Sequence, residues 1–280
     1  MQRFFNEKIL KVDKLTGGVT NIIYKIQCEN NNTYIFREYG KKSSNFIDRD
    51  SDIYIMKYIN NYNIGPKIIN EYDIGRIESF EEGVVIEEFS KKQYEICNII
   101  AQLHNIPIKK DIIHLYDRLD NWSKQINKPY YDKINKVMEY LNNDNFLNEN
   151  VVGHGDLSIG NLLIENDKVK LIDFEYSCIL PRGFDLANHL CEYNGTYNIK
   201  YPEKDKRKKL IEIYLNHYNI EYNDDYLKIV DKYAIVSNYY WACWGLIYDC
   251  DVHSGFDYKA YSNKRFNLFL ELYNNIIDYS

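Results

Sequence analysis

No stretch of the 280-residue chain reaches the ~18 consecutive apolar residues that a helical membrane span requires. The opening segment, MQRFFNEKILKVDKL, has no apolar core of the kind a secretory leader carries, so the expected address is the cytoplasm. Positive charge is not in excess: the net charge is −6 and there is no long charge run, which argues against nucleic acid as a partner, while the missing apolar run argues against membrane insertion. Cysteine is sparse and scattered. Cys28, Cys97, Cys178, Cys191, Cys243 and Cys250 contain no close pair with metal-ligand spacing and read as reduced thiols. Internal repeats and low-complexity linkers are missing too. What the chain has in abundance is tyrosine, 28 residues, with much Asn, Ile and Lys. That bias weakens any argument resting on a single Tyr or Asn.

The pattern changes along the chain. Ile22 to Gln27 and Thr33 to Arg37 are β-rich runs joined by Asn30, Asn31 and Asn32, which predicts a hairpin. Asp48 to Tyr62 has helical spacing, with Ile53, Met56, Tyr58 and Ile59 apolar. Strands are predicted at Arg76 to Phe80 and Val84 to Phe89. Beyond that, helices are predicted at Tyr94 to His104, Tyr131 to Leu141, Phe184 to Glu192, Lys204 to Tyr218, Tyr226 to Ile247 and Tyr258 to Ile277. Short buried strands are predicted at Val151 to Gly153, Leu162 to Ile164 and Val169 to Ile172. A β-rich front and a helix-rich back predict an α+β protein in two lobes, 1–90 and 91–280.

Chemistry concentrates in VVGHGDLSIGNLLIENDKVKLIDFEYS. His154-x-Asp156 is followed, four residues on, by Asn161. A turn at Asn166 and Asp167 leads back to Ile172-Asp173-Phe174-Glu175. Phosphoryl transfer needs such parts: one carboxylate to orient and deprotonate an attacking hydroxyl, and an amide with a second carboxylate to hold Mg²⁺ against nucleotide phosphates. The bland alternative is an Asx-turn at Asp156 and Asn161 with Asp173 capping a loop.

This stretch resembles the protein-kinase-like small-molecule kinases, a group that includes aminoglycoside phosphotransferases and choline/ethanolamine kinases. The continuation IDFEYSCILPRGFDLANHLCEY is similar to the choline/ethanolamine kinase signature, as are YPEKDKRKKLIEIYL, SNYYWACWGLIYDC and FDYKAYSNKRFNLFL. The resemblance runs from Gly17 to Phe269. It implies a two-lobed protein-kinase-like fold, a small β-rich N-lobe for nucleotide and a larger helical C-lobe. It also implies ATP and Mg²⁺ as cofactors and an amino alcohol as acceptor, with choline favoured over ethanolamine, and it leaves room for a homodimer.

By this resemblance Asp156 is the catalytic base, Asn161 and Asp173 bind Mg²⁺, and Glu175 supports the metal region. His154 braces the loop, since Mg²⁺ disfavours imidazole, and Asp185 stands behind the loop as a further brace. LTGGVTNIIYKI, with Gly17, Gly18, Thr20 and Asn21, resembles the phosphate-covering loop. Arg37 matches the basic residue that meets the α and β phosphates. Asp52, where the family has Glu, matches its helix partner. Glu78 to Phe80 falls where adenine is read. The acceptor pocket is implied at Tyr176, Glu192, Tyr197, Trp241, Trp244, Phe256 and Tyr261, because a quaternary ammonium offers no N–H and must be met by aromatic faces and carboxylates. Trp241 and Trp244 at helical spacing also fit plain core packing. Two other readings stay open: an aminoglycoside-type antibiotic phosphotransferase, which the HGD spelling fits, and a non-catalytic kinase-fold binding protein.

Overall fold

The computed structural model of the chain describes residues 1–15, 20–40, 47–86, 91–127, 129–193, 199–248 and 256–278. The chain forms two compact units, Met1–Gly83 and Val84–Ser280.

The first unit is an antiparallel five-stranded sheet with one helix. Its strands are β1 (Ile9–Lys14), β2 (Asn21–Cys28), β3 (Thr33–Tyr39), β4 (Ile68–Tyr72) and β5 (Gly75–Ser79), in the spatial order β1-β2-β3-β5-β4. The predicted hairpin is β2–β3. Asn31 takes the left-handed conformation at φ 65, which Asn tolerates, and the Asn30 side chain accepts the Asn32 N–H at 3.1 Å. Residues two apart share a face. Ile26, Cys28, Phe36 and Ile77 therefore build an apolar face, covered by Phe4, Phe5, Tyr34 and Tyr72. On the other face, Arg37 stands opposite Arg76 and Glu78 lies two residues on, all three buried.

Helix α1 (Arg49–Ile59) is capped by Asp48, whose carboxylate accepts the Ser51 N–H, and it buries Asp52, Ile55, Met56 and Ile59. A 3-10 turn, Asn60–Tyr62, follows, and Asn63 at φ 55 ends it. β1 and β4 escaped the sequence reading because they are edge strands whose residues are exposed or only half-buried, so neither shows an apolar face.

The second unit holds the remaining strands: β6 (Val84–Val85), β7 (Asn150–Gly153), β8 (Leu162–Glu165), β9 (Lys168–Leu171) and β10 (Cys178–Pro181). β6, β8 and β9 form one small antiparallel sheet, and β7 pairs with β10. β6 joins this unit because Val84 and Val85 register against Ile164 and Leu163. The break in the chain therefore falls at Gly83, short of the predicted residue 90. Residues 87–89 of the predicted strand lie outside the described residues.

The helices are α2 (Gln93–His104), α3 (Leu115–Gln125), α4 (Tyr131–Leu141), α5 (Arg182–Cys191), α6 (Lys204–Asn216), α7 (Asp224–Tyr248) and α8 (Tyr258–Tyr273), the last running into a π-turn at Asn274–Asp278. α7 packs on both α5 and α8. α5 is buried over its whole length, polar residues included. α3 was not predicted: its inward face is Leu115, Arg118, Leu119 and Trp122, and a charged residue there breaks the apolar stripe. Arg118 nonetheless donates to the Tyr176 and Ser177 carbonyls and to the Tyr240 hydroxyl. Among the described residues no helix is long and apolar enough to cross a membrane.

Candidate active site

Strand β7 delivers the chain into a loop, His154 to Leu157, whose backbone is secured by side chains. Helix α5 supplies most of them. Asp185 accepts the His154 N–H at 2.7 Å and the Gly155 N–H at 2.8 Å, one on each carboxylate oxygen. Asn188 accepts the Leu157 N–H at 2.7 Å, and His189 donates from Nδ1 to the Leu157 carbonyl at 3.2 Å. Positions 185, 188 and 189 share one helix face, so a single rigid surface holds the loop. The remaining amide, that of Asp156, donates to His154 Nδ1 at 3.2 Å. With Nδ1 accepting, the proton sits on Nε2, which donates to the Ile172 carbonyl at 3.0 Å. His154 is thus a neutral, fully buried strut tying the loop to the residue that follows β9.

Gly155 is required by geometry. Its φ is +79, and a Cβ there would lie 2.5 Å from the Tyr176 carbonyl oxygen. The HGD spelling thus has a local packing cause that does not call on the antibiotic-phosphotransferase reading.

Asp185 is itself anchored: His104 Nε2 lies 3.0 Å from it, and His104 Nδ1 faces the Tyr214 hydroxyl at 2.6 Å. Burial alone would raise the Asp185 carboxyl. The bond from His104 and that from the His154 amide outweigh it and hold the group below the usual range. Burial lowers His104 and His154, and takes His189 down to about 4. The unfolded chain binds protons at these three sites near pH 6.5, while the folded chain resists until lower pH. Stability is therefore expected to fall as pH drops below about 6.5, with a slope of up to about 1.4 kcal/mol per pH unit for each histidine. Denaturant melts at pH 7.5 and 5.5 check this, and equal midpoints would contradict it.

Around this loop the acidic groups gather. Asn161, nearly buried, turns both donors of its amide toward Asp156, one to the main-chain carbonyl at 3.0 Å and one to Oδ2 at 2.8 Å. Asp173 ends the β9 loop in a left-handed conformation, φ 65, and starts the turn Phe174–Tyr176 that carries Glu175. Burial, then the charge of Asp173, push the Asp156 carboxyl up to about 7, with Glu175 adding and Asn161 opposing. The Asn161 amide oxygen and the Asp173 and Glu175 carboxylates are hard-oxygen donors. Among the described residues no three His, Cys, Asp or Glu side chains converge as a closed metal cage. A short set of oxygen ligands fits Mg²⁺, which keeps waters and substrate oxygens in its shell.

The predicted acceptor residues Tyr176, Trp241, Trp244, Phe256 and Tyr261 meet in one aromatic cluster. Trp244 donates to the Tyr176 hydroxyl at 2.7 Å, and its ring lies 5.5 Å from Trp241, 6.1 Å from Phe256 and 5.6 Å from Tyr261. Trp241 stands edge-on to Tyr176 at 5.1 Å. Asp156 is close enough to raise the Tyr261 hydroxyl, after burial, by its charge. Glu192 sits at the end of α5, ion-paired with the fully buried Arg265, which also donates to Tyr261 and Asn238 at 3.1 Å. Burial pulls Arg265 down to about 10, and it remains a cation at neutral pH. The Glu192 carboxylate is therefore already paired with a buried cation. Tyr197 lies outside the described residues.

In the first unit, Gly17 and Gly18 also lie outside the described residues. Asn21 is buried and accepts from Arg49 at 3.0 Å, with Thr20 at its amide. Arg37 donates from Nε to Glu78 at 3.1 Å, while Asp52 is held by Arg76 at 2.5 Å and Arg49 at 3.1 Å. The Glu78 side chain thus belongs to the ionic face of the sheet, and Phe80 lies under the Lys25 ammonium at 3.9 Å. Sequence reasoning missed Asn188, His189, His104, Arg265 and Arg76. The available signal was polar residues at i, i+3 and i+4 within the otherwise apolar FDLANHL.

A family model described as choline/ethanolamine kinase matches residues 12–270. Among curated proteins, a probable choline kinase 2 of Arabidopsis thaliana is 27% identical over 93% of this chain and 85% of its own length. A probable ethanolamine kinase of the same plant is 27% identical over 94% of this chain and 79% of its own length. Among solved structures, an ethanolamine kinase of Plasmodium vivax superposes with a TM-score of 0.83 at 24% identity, covering 96% of this chain and 84% of the other, and shares its fold.

Proposed function

The chain belongs to the choline/ethanolamine kinase family, and from that premise we propose that it moves the γ-phosphoryl group of ATP onto the hydroxyl of choline, with ethanolamine as a second acceptor. The product is a phosphorylated amino alcohol, the first step toward a phospholipid head group. The observation that carries the reading within the site is the aromatic cluster around Trp244, gathered beside the charge of Asp156.

Asp156 orients the acceptor hydroxyl and takes its proton. Its raised pKa places it near neutrality, where a general base is most effective. Asn161, Asp173 and Glu175 would hold Mg²⁺, which when bound neutralises charge on the nucleotide phosphates. The loop itself contributes positioning: fixed by α5, it holds Asp156 without a search at the moment of transfer. Arg37 meets the α and β phosphates. The acceptor's ammonium rests on aromatic faces, because Glu192 is already matched by Arg265. The same reading carries a cytoplasmic address, consistent with five described cysteines that are all free and buried.

The test is an ATP-coupled assay of the purified chain across choline, ethanolamine, an aminoglycoside and a set of sugars. Turnover is expected with the two amino alcohols, choline first. Turnover with the aminoglycoside alone would overturn the assignment. Trp244→Ala is expected to raise KM for choline about tenfold and that for ethanolamine less, since only the methylated cation depends on aromatic faces throughout. Equal losses would make Trp244 a packing residue.

A further inference from the structure

The polar face of the first unit's sheet holds an arrangement that the pairing of Arg37 with a helix carboxylate does not describe. Arg37 and Arg76 are direct cross-strand partners on β3 and β5. Like charges so placed repel unless a carboxylate intervenes. Glu78 is that carboxylate: one of its oxygens, Oε1, accepts from Arg37 Nε at 3.1 Å and from Arg76 Nε at 2.5 Å. Arg76 then reaches with its other end, NH1, to Asp52 of α1 at 2.5 Å. The Arg76 and Asp52 side chains are fully buried and that of Glu78 nearly so. We propose that Arg76 is a positioning residue for the nucleotide's phosphate end. It engages the helix carboxylate Asp52, which it shares with Arg49, and through the shared Glu78 it fixes the direction in which Arg37 presents its guanidinium. The proposal rests on the reading that Arg37 meets phosphate.

Three features support it. Asp52 has a short side chain, and Arg76, lying across from Arg37, meets it with a long, forked one. Burial alone would raise the Glu78 carboxyl, yet Arg37 and Arg76 hold it down at about 2, so it stays an anion between two cations at any working pH. A fully buried ion cluster gains little stability over an apolar packing of the same volume. Fixing the aim of Arg37 is a reason to keep it.

The test is a double-mutant cycle of Arg37→Ala and Arg76→Gln, reading KM for ATP, KM for the amino alcohol and kcat. Arg76→Gln is expected to raise KM for ATP roughly tenfold in the native background but less than about twofold when Arg37 is already alanine. KM for the acceptor stays within about twofold. Arg76→Lys, which keeps the charge but not the fork, falls between the native chain and Arg76→Gln. Additive effects on KM for ATP would overturn the proposal. So would a parallel fall of all three constants with the melting temperature, the mark of a merely structural residue. If Arg76→Gln does not fold, Glu78→Gln replaces it in the cycle with the same expected coupling to Arg37. An Arg37→Ala variant with native KM for ATP would remove the phosphate reading beneath the proposal, an outcome distinct from additivity.

Discussion

Asp156→Asn is expected to lower kcat by about 10²–10⁴-fold while ATP affinity and the fold stay close to native. The substitution keeps the side chain's size, and one oxygen remains to accept from Asn161, whose amide now grips Asp156 at both its main chain and Oδ2. What is lost is the ability to take a proton. The wild-type group is held at about 7 by burial and by Asp173. Activity should therefore fall as pH drops below neutrality, and the residual rate of the variant should lack that slope.

The same shift makes a second, opposite statement about stability. A carboxyl whose folded pKa lies above its unfolded value is a liability once ionised. The cost is absent where both states are protonated, below about pH 4, and is complete above about pH 7. Asp156→Asn removes that cost, so the metal-free variant should melt no lower than the wild type at pH 8, with the difference shrinking toward acid pH. A variant that turns over normally, or one that loses activity only because it unfolds, would remove Asp156 from the role of base.

Much of this site could be read in the sequence because its parts are local. His154, Asp156 and Asn161 lie within one loop, and Asp173 and Glu175 follow across one short hairpin, so their spacing survives as text. The hairpin at Asn30 to Asn32 was legible for the same reason, since its turn chemistry is written in three adjacent residues. Partnerships across the fold were not legible. The ion pair of Glu192 with Arg265 joins α5 to α8, and nothing near Glu192 in sequence announces that its charge is already matched. Arg76 is only the first residue of a predicted strand until the register of β3 against β5 sets it beside Arg37. α3 hid because a buried arginine interrupts its apolar stripe, and its compensation comes from the carbonyls of Tyr176 and Ser177 far along the chain. Edge strands β1 and β4 hid because pairing on one side alone leaves their side chains mostly in water.

Asp185 illustrates how such a distant partner can outweigh the residues it serves. Its two oxygens hold the amides of His154 and Gly155 and the ring of His104, all in a region without access to water. Asp185→Ala strands three donors at once. A buried donor without a partner costs about 1–3 kcal/mol, and three are stranded together, so a loss of roughly 4 kcal/mol or more is expected. Asp185→Asn should be little better, because its amide nitrogen must face one of those donors. Asn188→Ala, which strands the Leu157 amide and removes a long bond to the Ser237 hydroxyl, should cost about 1–3 kcal/mol and serves as the scale. Urea melts measure these differences. Amide exchange at His154 and Gly155 measures the local one: in a folded Asp185→Ala protein both amides should lose protection before β7 and α5 do. With the loop released, Asp156 no longer stands in one place, and kcat should drop by about 10²-fold even in the folded fraction. A variant within about 1 kcal/mol of the wild type, with its loop amides still protected, would mean that the strand pairing of β7 with β10 holds the loop unaided and that Asp185 is dispensable.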